Sequence, residues 1–321
     1  MPLPSDPELV KTAENLLALF HKVFGDHPGY RPAHAKGILL SGTFTPSETA
    51  KTLSTAPHFN APTPILARLS DSTGLPAIPD TVADSRPHGL GLRFDLGGRK
   101  HTDIVAHSTP RFPVRTGEEF LGLLTAIATS PPGGAEPSPV QKFVGARPYT
   151  QAFLGYPKPA LESWAGQEYH GINAFKLISP EGKGTFVRWI VEPEAQVATL
   201  SDKEVGAKGA DYLREEIAAR LGGGKVTWQL KAQVAAEGDV TDDATVVWPA
   251  ERDVVTLGTI VVDAVVPDGD EKAKTIIFDP IPRVEGVEPS DDPILEFRAG
   301  LYLISGRERR KAVADGTSKK E

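Results

Sequence analysis

The 321-residue chain contains no cysteine. Disulfides, zinc–thiolate sites, iron–sulfur clusters and every thiol-based redox reaction are excluded together. Net positive charge is missing as well: 35 Lys and Arg against 42 Asp and Glu leave −7, with a pI near 5.7. No positive field is there to gather phosphates or anionic lipid, so nucleic acid is not an expected partner. The longest apolar run, near residues 259–266, is interrupted by Asp263. It falls far short of the roughly 20 apolar residues that cross a bilayer, and no membrane partner is expected. Residues 1–9 show no basic segment leading into an apolar one, which predicts no secretory leader and a cytoplasmic location. Common site motifs are lacking too. The stretch LGGGKVT at 221–227 leads into a strand pattern rather than a helix, no His pair has helical zinc spacing, and there is no Gly-x-Ser-x-Gly elbow. What remains, 40% hydrophobic and 24% charged residues at a mean hydropathy of −0.22, is the composition of an ordinary soluble globular protein.

Residues 7–24 carry Leu9, Val10, Ala13, Leu16, Leu17, Phe20 and Val23 at helical spacing, with Asp6 placed as N-cap and Pro7 at the first helical position. Short β-like runs divided by Gly, Pro, Asp and Ser follow at 37–44, 65–70, 89–96 and 101–106. A helical pattern at 117–128, a Pro/Gly loop at 130–139 and a second helix over 140–154 separate these from further strands at 173–179, 184–191, 225–235 and 254–266. Another helix is predicted over 202–221 and a last one over 293–310, ahead of a polar tail, 311–321, expected to be disordered. Two strand groups around a helical insertion predict an α+β protein. Its core would be one closed antiparallel β-barrel, in a single domain spanning 1–310.

The last helix carries Arg298, Tyr302 and Arg309 at steps of four and seven, which places them with Gly306 on one stripe at about 100° per residue. An Arg one turn before a Tyr can hold the phenol oxygen, and its charge favours the phenolate, a ligand for iron(III). Taken alone, the same residues also describe a half-buried aromatic with solvated charges.

Four stretches in chain order decide between these readings: RPAHAKGILLSGTF at 31–44, ARLSDSTG at 67–74, VAHSTPRFPVRTGEEF at 105–120 and FDPIPRVEGVEPSDDPILEFRAGLY at 278–302. Together they resemble the catalase-like haem peroxidases over residues 20–310. Within that family the chain is similar to the short catalase-related peroxidases, without the long amino-terminal arm or the flavodoxin-like domain of large catalases. The resemblance implies a catalase-core barrel with a carboxy-terminal haem-ligand helix, and haem b as cofactor, its iron ligated by Tyr302 beside Arg298. His34 would be the distal acid–base residue. Ser70 would fix its tautomer, although an isolated strand Ser is otherwise a polar filler. Arg31, Arg68 and Arg309 would bind the haem propionates, and Phe120 would stack on the porphyrin.

Two positions depart from the family pattern. His107 stands where catalases place a distal Asn, as a second proton-handling group or a bulky hydrogen-bond partner. Arg86 stands where an acidic channel residue is usual, changing the field along the access route. Both departures point away from efficient disproportionation. The implied activity is peroxidase turnover of hydrogen peroxide or an organic hydroperoxide with small organic electron donors, with weak catalase activity at most, in a homodimer. A haem isomerase of lipid hydroperoxides and a non-catalytic haem or apolar-ligand carrier are the alternatives.

Overall fold

The amphipathic pattern at the amino terminus folds as α1 (Pro7–Phe24), whose first turn is closed by the Asp6 side chain accepting from the Glu8 amide. This is a computed structural model, and it describes residues 2–318. The strands are β1 (Gly37–Pro46), β2 (Thr63–Ser70), β3 (Gly89–Asp95), β4 (His101–His107), β5 (Ala160–Leu161), β6 (Tyr169–His170), β7 (Phe175–Ile178), β8 (Gly184–Pro193), β9 (Thr199–Leu200), β10 (Val226–Val234), β11 (Val254–Val265) and β12 (Val287–Pro289). Following the antiparallel pairs from β1 through β2, β3, β4, β6, β8, β10 and β11 returns to β1, so eight strands close into the expected barrel. β7 and β12 extend the sheet from β8, and β5 pairs with β9 apart from it.

The remaining helices are α2 (Glu48–Leu53), α3 (Gly117–Ala128), α4 (Pro139–Gly145), α5 (Pro148–Leu154), α6 (Asp202–Gly206), α7 (Tyr212–Gly223), α8 (Gly269–Thr275) and α9 (Pro293–Ala314). Two expected helices are broken. Pro148 forces Arg147 into extended backbone and splits 140–154 into α4 and α5. The glycine-containing stretch after Gly206 divides 202–221 into α6 and α7. α9 runs four residues further than expected, to Ala314, and the Ser318 carbonyl accepts from Lys274 at 2.5 Å. The last three residues of the expected disordered tail, 319–321, lie outside the described residues.

Side chains alternate across the strands. Leu69, Leu90, Leu92 and Phe94 join the barrel's core, each residue 5% exposed or less. Burying each such side chain stabilises the fold by roughly 1.5–3 kcal/mol. Their neighbours Arg68, Ser70, Gly89 and Gly91 face outward, where α1, α3 and α9 pack a second apolar cluster around Leu16, Phe20, Leu123, Phe297 and Leu301. The space left between barrel wall and helical layer is a cavity lined from both sides.

Candidate active site

α9 begins and works through one chain of hydrogen bonds. Asp292, its N-cap, accepts from the Ile294 amide at 3.0 Å and from Asn173 Nδ2 at 2.9 Å. Asn173 Oδ1 accepts from Arg298 Nη1 at 2.5 Å, and Arg298 Nε and Nη2 point at the Tyr302 hydroxyl oxygen from 3.3 and 3.2 Å. Arg298 is only 5% exposed, so its charge acts on that oxygen without much competition from water. Burial raises the Asp292 carboxyl above its ordinary range, and the Asn173 bond pulls it back. The sequence reading missed Asn173, because it meets Arg298 across 125 residues and no local spacing announces that.

On the barrel wall, His34 sits in left-handed backbone (φ 56°), an uncommon conformation for a residue with a Cβ. Its Nδ1 lies 3.2 Å from Ser70 Oγ, and that hydroxyl donates to the Gly89 carbonyl at 3.3 Å. With the hydroxyl proton so engaged, Ser70 accepts from Nδ1–H, which assigns the tautomer and leaves Nε2 as a free lone pair. Burial, and then the nearby Arg68, lower the His34 pKa to about 4. The His107 ring centre is 5.5 Å from that of His34, and His107 Nε2 is buried with no hydrogen-bond partner among the described residues. Burial holds His107 well below its ordinary value, so both imidazoles are neutral at neutral pH.

Three guanidiniums gather at one end. Arg31 and Arg309 each donate to the Ile276 carbonyl at 3.1 Å, Arg309 also to Ala273 at 3.2 Å and to Lys274, and Arg68 donates to Ala35 at 3.0 Å. Among the described residues none of the three forms a carboxylate salt bridge, and Arg309 Nε is buried without a partner. Burial lowers all three, and Arg68 and Arg309 depress Arg31 further. Positive charge left uncompensated in a dry site calls for anions, and planar forks match carboxylates.

All nine expected residues, Arg31, His34, Arg68, Ser70, His107, Phe120, Arg298, Tyr302 and Arg309, line a single cavity of about 1070 Å³ counted out to its mouth. Its other walls are largely apolar. Phe120 packs edge-on against Phe112 and Phe20 with ring centres 5.2 and 6.1 Å away, and Phe112 is a wall residue that the sequence reading left unassigned. Arg86 does not line this cavity, because its guanidinium donates to the Lys158 carbonyl at 2.8 Å. Among the described residues no cluster of three or more His, Cys, Asp or Glu can hold a metal alone. A metal meeting Tyr302 must therefore bring most of its own donors, as iron in a macrocycle does. No described helix is long and apolar enough to cross a membrane.

The catalase family model matches residues 26–313. The chain belongs to the catalase family. It is 32% identical to a catalase-related peroxidase of Synechococcus elongatus, over 94% of this chain and 90% of that one. A catalase-related peroxidase of Mycolicibacterium paratuberculosis is 34% identical over 88% of this chain and 89% of its own. Among solved structures, a bacterial catalase superposes with a TM-score of 0.77 at 24% identity over 96% of this chain, and a fungal catalase with 0.77 at 20% identity over 92%. This catalase-family chain spans 62% and 61% of those two larger chains, and the likeness to them is one of fold.

Proposed function

We propose that the chain is a haem-dependent peroxidase that reduces hydrogen peroxide or organic hydroperoxides with small organic electron donors. The observation that carries this reading is one cavity bringing the Arg298-held oxygen of Tyr302, the bare Nε2 of His34 and three unpaired guanidiniums together. Two relatives named catalase-related peroxidase support it. The chain is an oxidoreductase that acts on peroxide.

The residues present fit haem b. Arg31, Arg68 and Arg309 match two carboxylates, Phe120 offers a ring face, and Tyr302 offers a phenol oxygen. Haem, when bound, supplies the iron that exchanges electrons with peroxide and donor. The chain supplies the rest. Arg298 holds the Tyr302 oxygen in place from two of its nitrogens. His34 Nε2 takes the proton from the inner peroxide oxygen and returns it to the outer one, which leaves as an alcohol or water. Ser70 keeps Nδ1 protonated so that Nε2 stays free, and His107 offers the peroxide a second polar contact in an otherwise apolar wall.

The test is steady-state turnover with hydrogen peroxide or cumene hydroperoxide, with and without a phenolic donor. Donor oxidation that matches peroxide loss is expected, with little oxygen release. Vigorous oxygen release without donor oxidation, or loss of a lipid hydroperoxide with neither donor nor oxygen, would refute the reading.

A further inference from the structure

Behind the rung formed by Ser70 and Gly89, the barrel interior holds ionisable groups that this chemistry does not use. Leu69 and Leu90 face inward, and Asp71 and His88 continue those two inward rows one step past the rung. Asp71 is fully buried, and His88 is 1% exposed. Asp71 Oδ1 and His88 Nδ1 lie 3.2 Å apart, yet among the described residues neither Asp71 oxygen accepts a hydrogen bond and Nδ1 has no bonded partner. Lys36 Nζ approaches Asp71 only to 4.0 Å, because it bonds the Ile78 and Ala210 carbonyls at 2.8 and 2.9 Å, Asp211 at 2.9 Å, and Asp80. A buried carboxylate without a donor is costly. One proton on His88 Nδ1, turned slightly onto Asp71, removes that cost.

The pair is joined to both distal imidazoles through short backbone links. Ser70, which contacts His34 Nδ1, immediately precedes Asp71, and the Asp71 amide donates to Lys36, two residues beyond His34, at 3.2 Å. Gly89, against the His34 ring, immediately follows His88. The His88 amide donates to Ser108 Oγ at 3.0 Å, and the Ser108 amide returns to the His88 carbonyl at 2.9 Å, beside His107.

We propose that Asp71 and His88 are positioning residues for His34 and His107, with anionic Asp71 accepting from His88 Nδ1–H and holding in place the strand ends that carry both rings. Burial pushes the Asp71 carboxyl up to about 6, while the neighbouring Asp80 carboxyl, when protonated, and then Lys36 and Arg68 pull it down and Asp211 pushes it up. Burial, then Arg86, hold His88 down at about 4, against Asp80, and Asp80, Tyr169 and Tyr212 are further ionisable groups close enough to feel Asp71. As pH falls through about 6, Asp71 takes up a proton, the contact loses its charge assistance, and the rings loosen well above the value near 4 at which His34 itself is protonated.

This inference rests on the peroxidase reading, and its test separates the two. In the haem-loaded protein, kcat/KM for peroxide is followed from about pH 4.5 to about pH 8 in wild type, Asp71→Asn and His88→Gln. The wild type is expected to lose activity through about pH 6, and Asp71→Asn to stay low by about tenfold across the range without that limb, at unchanged donor KM. His88→Gln, which keeps an amide donor, is expected to retain most activity. Infrared difference spectra of the chain without haem should show a carboxyl protonating near pH 6 that Asp71→Asn removes. A folded Asp71→Asn with the wild-type limb, or no such carboxyl in the wild-type spectra, overturns the proposal. Absence of donor-dependent turnover in wild type overturns the peroxidase reading instead, and the infrared titration still decides the pair.

Discussion

Gly89 lies flat against the imidazole of His34, so close that a Cβ at that position would stand 2.8 Å from Nδ1 and 3.0 Å from Ser70 Oγ. The ring cannot hold its place above a larger residue.

Gly89→Ala is therefore expected to displace His34 while leaving the barrel folded. Overpacking of this kind costs typically 1–3 kcal/mol, roughly a small part of a domain's stability. The loss in kcat/KM for peroxide should be nearer 100-fold, because small misplacements at a reacting centre weigh heavily. Urea unfolding beside peroxide kinetics checks this; a wild-type rate in the alanine variant would contradict it.

Tyr302→Phe removes the only phenol oxygen that the described residues place on the cavity wall while keeping the ring. Haem-loaded wild type is expected to show tyrosinate-type charge transfer in its visible spectrum, and the variant to lose it along with donor oxidation. An unchanged spectrum would place the iron ligand elsewhere.

Asn173→Leu leaves Arg298 and Asp292 without the amide that joins them. Buried groups deprived of a partner cost about 1–3 kcal/mol, more where they are charged. The expected outcome is a lower urea midpoint together with faster haem transfer to an acceptor protein. Wild-type values for both would show that the bridging amide is dispensable.

His58 offers a clean reading of pH and stability. It packs against Phe59 and Phe94 with ring centres 4.1 and 4.6 Å away, its Nδ1 has no partner among the described residues, and burial lowers its pKa to about 3. The unfolded chain binds this proton near pH 6.5 and the folded chain only near 3, so stability from this group is lost as pH falls between those values. The slope is about 1.4 kcal/mol per pH unit. Buried His34 and His88 act in the same direction, while Asp71 and Asp80, raised to about 6 and about 7, act oppositely because folding raises their proton affinity. Comparing His58→Leu with wild type isolates one group: its relative stability should rise steadily from about pH 6.5 downward. A constant difference across that range would contradict the assignment.

Much of this was legible in the sequence where one short segment carries both the pattern and the chemistry. Alternating runs bounded by turn residues marked β1 to β4, and the step of four between Arg298 and Tyr302 already placed both on one helical stripe. Legibility ended where meaning depends on a distant partner. β6 is two residues long and exists because His170 pairs with His107 of β4 and with Ile190 of β8, and Tyr169 with Val191 of β8. Asn173 reads as the start of a strand until Arg298 is beside it, and Asp71 reads as a turn residue until the inward rows of β2 and β3 bring His88 against it. Pro148 was visible in the sequence, and its power to break a helix was underweighted against the apolar spacing around it.

The carbonyl cradle at Ile276 draws Arg31 from 245 residues away. A nascent or truncated chain lacking its final helix has neither that cradle occupied by Arg309 nor the phenol of Tyr302, so under the proposed function pigment capture would come only after the ends of the polypeptide have met. Retained colour would then serve as a count of correctly finished molecules, and a clipped product would betray itself by bleaching before it lost its β-sheet.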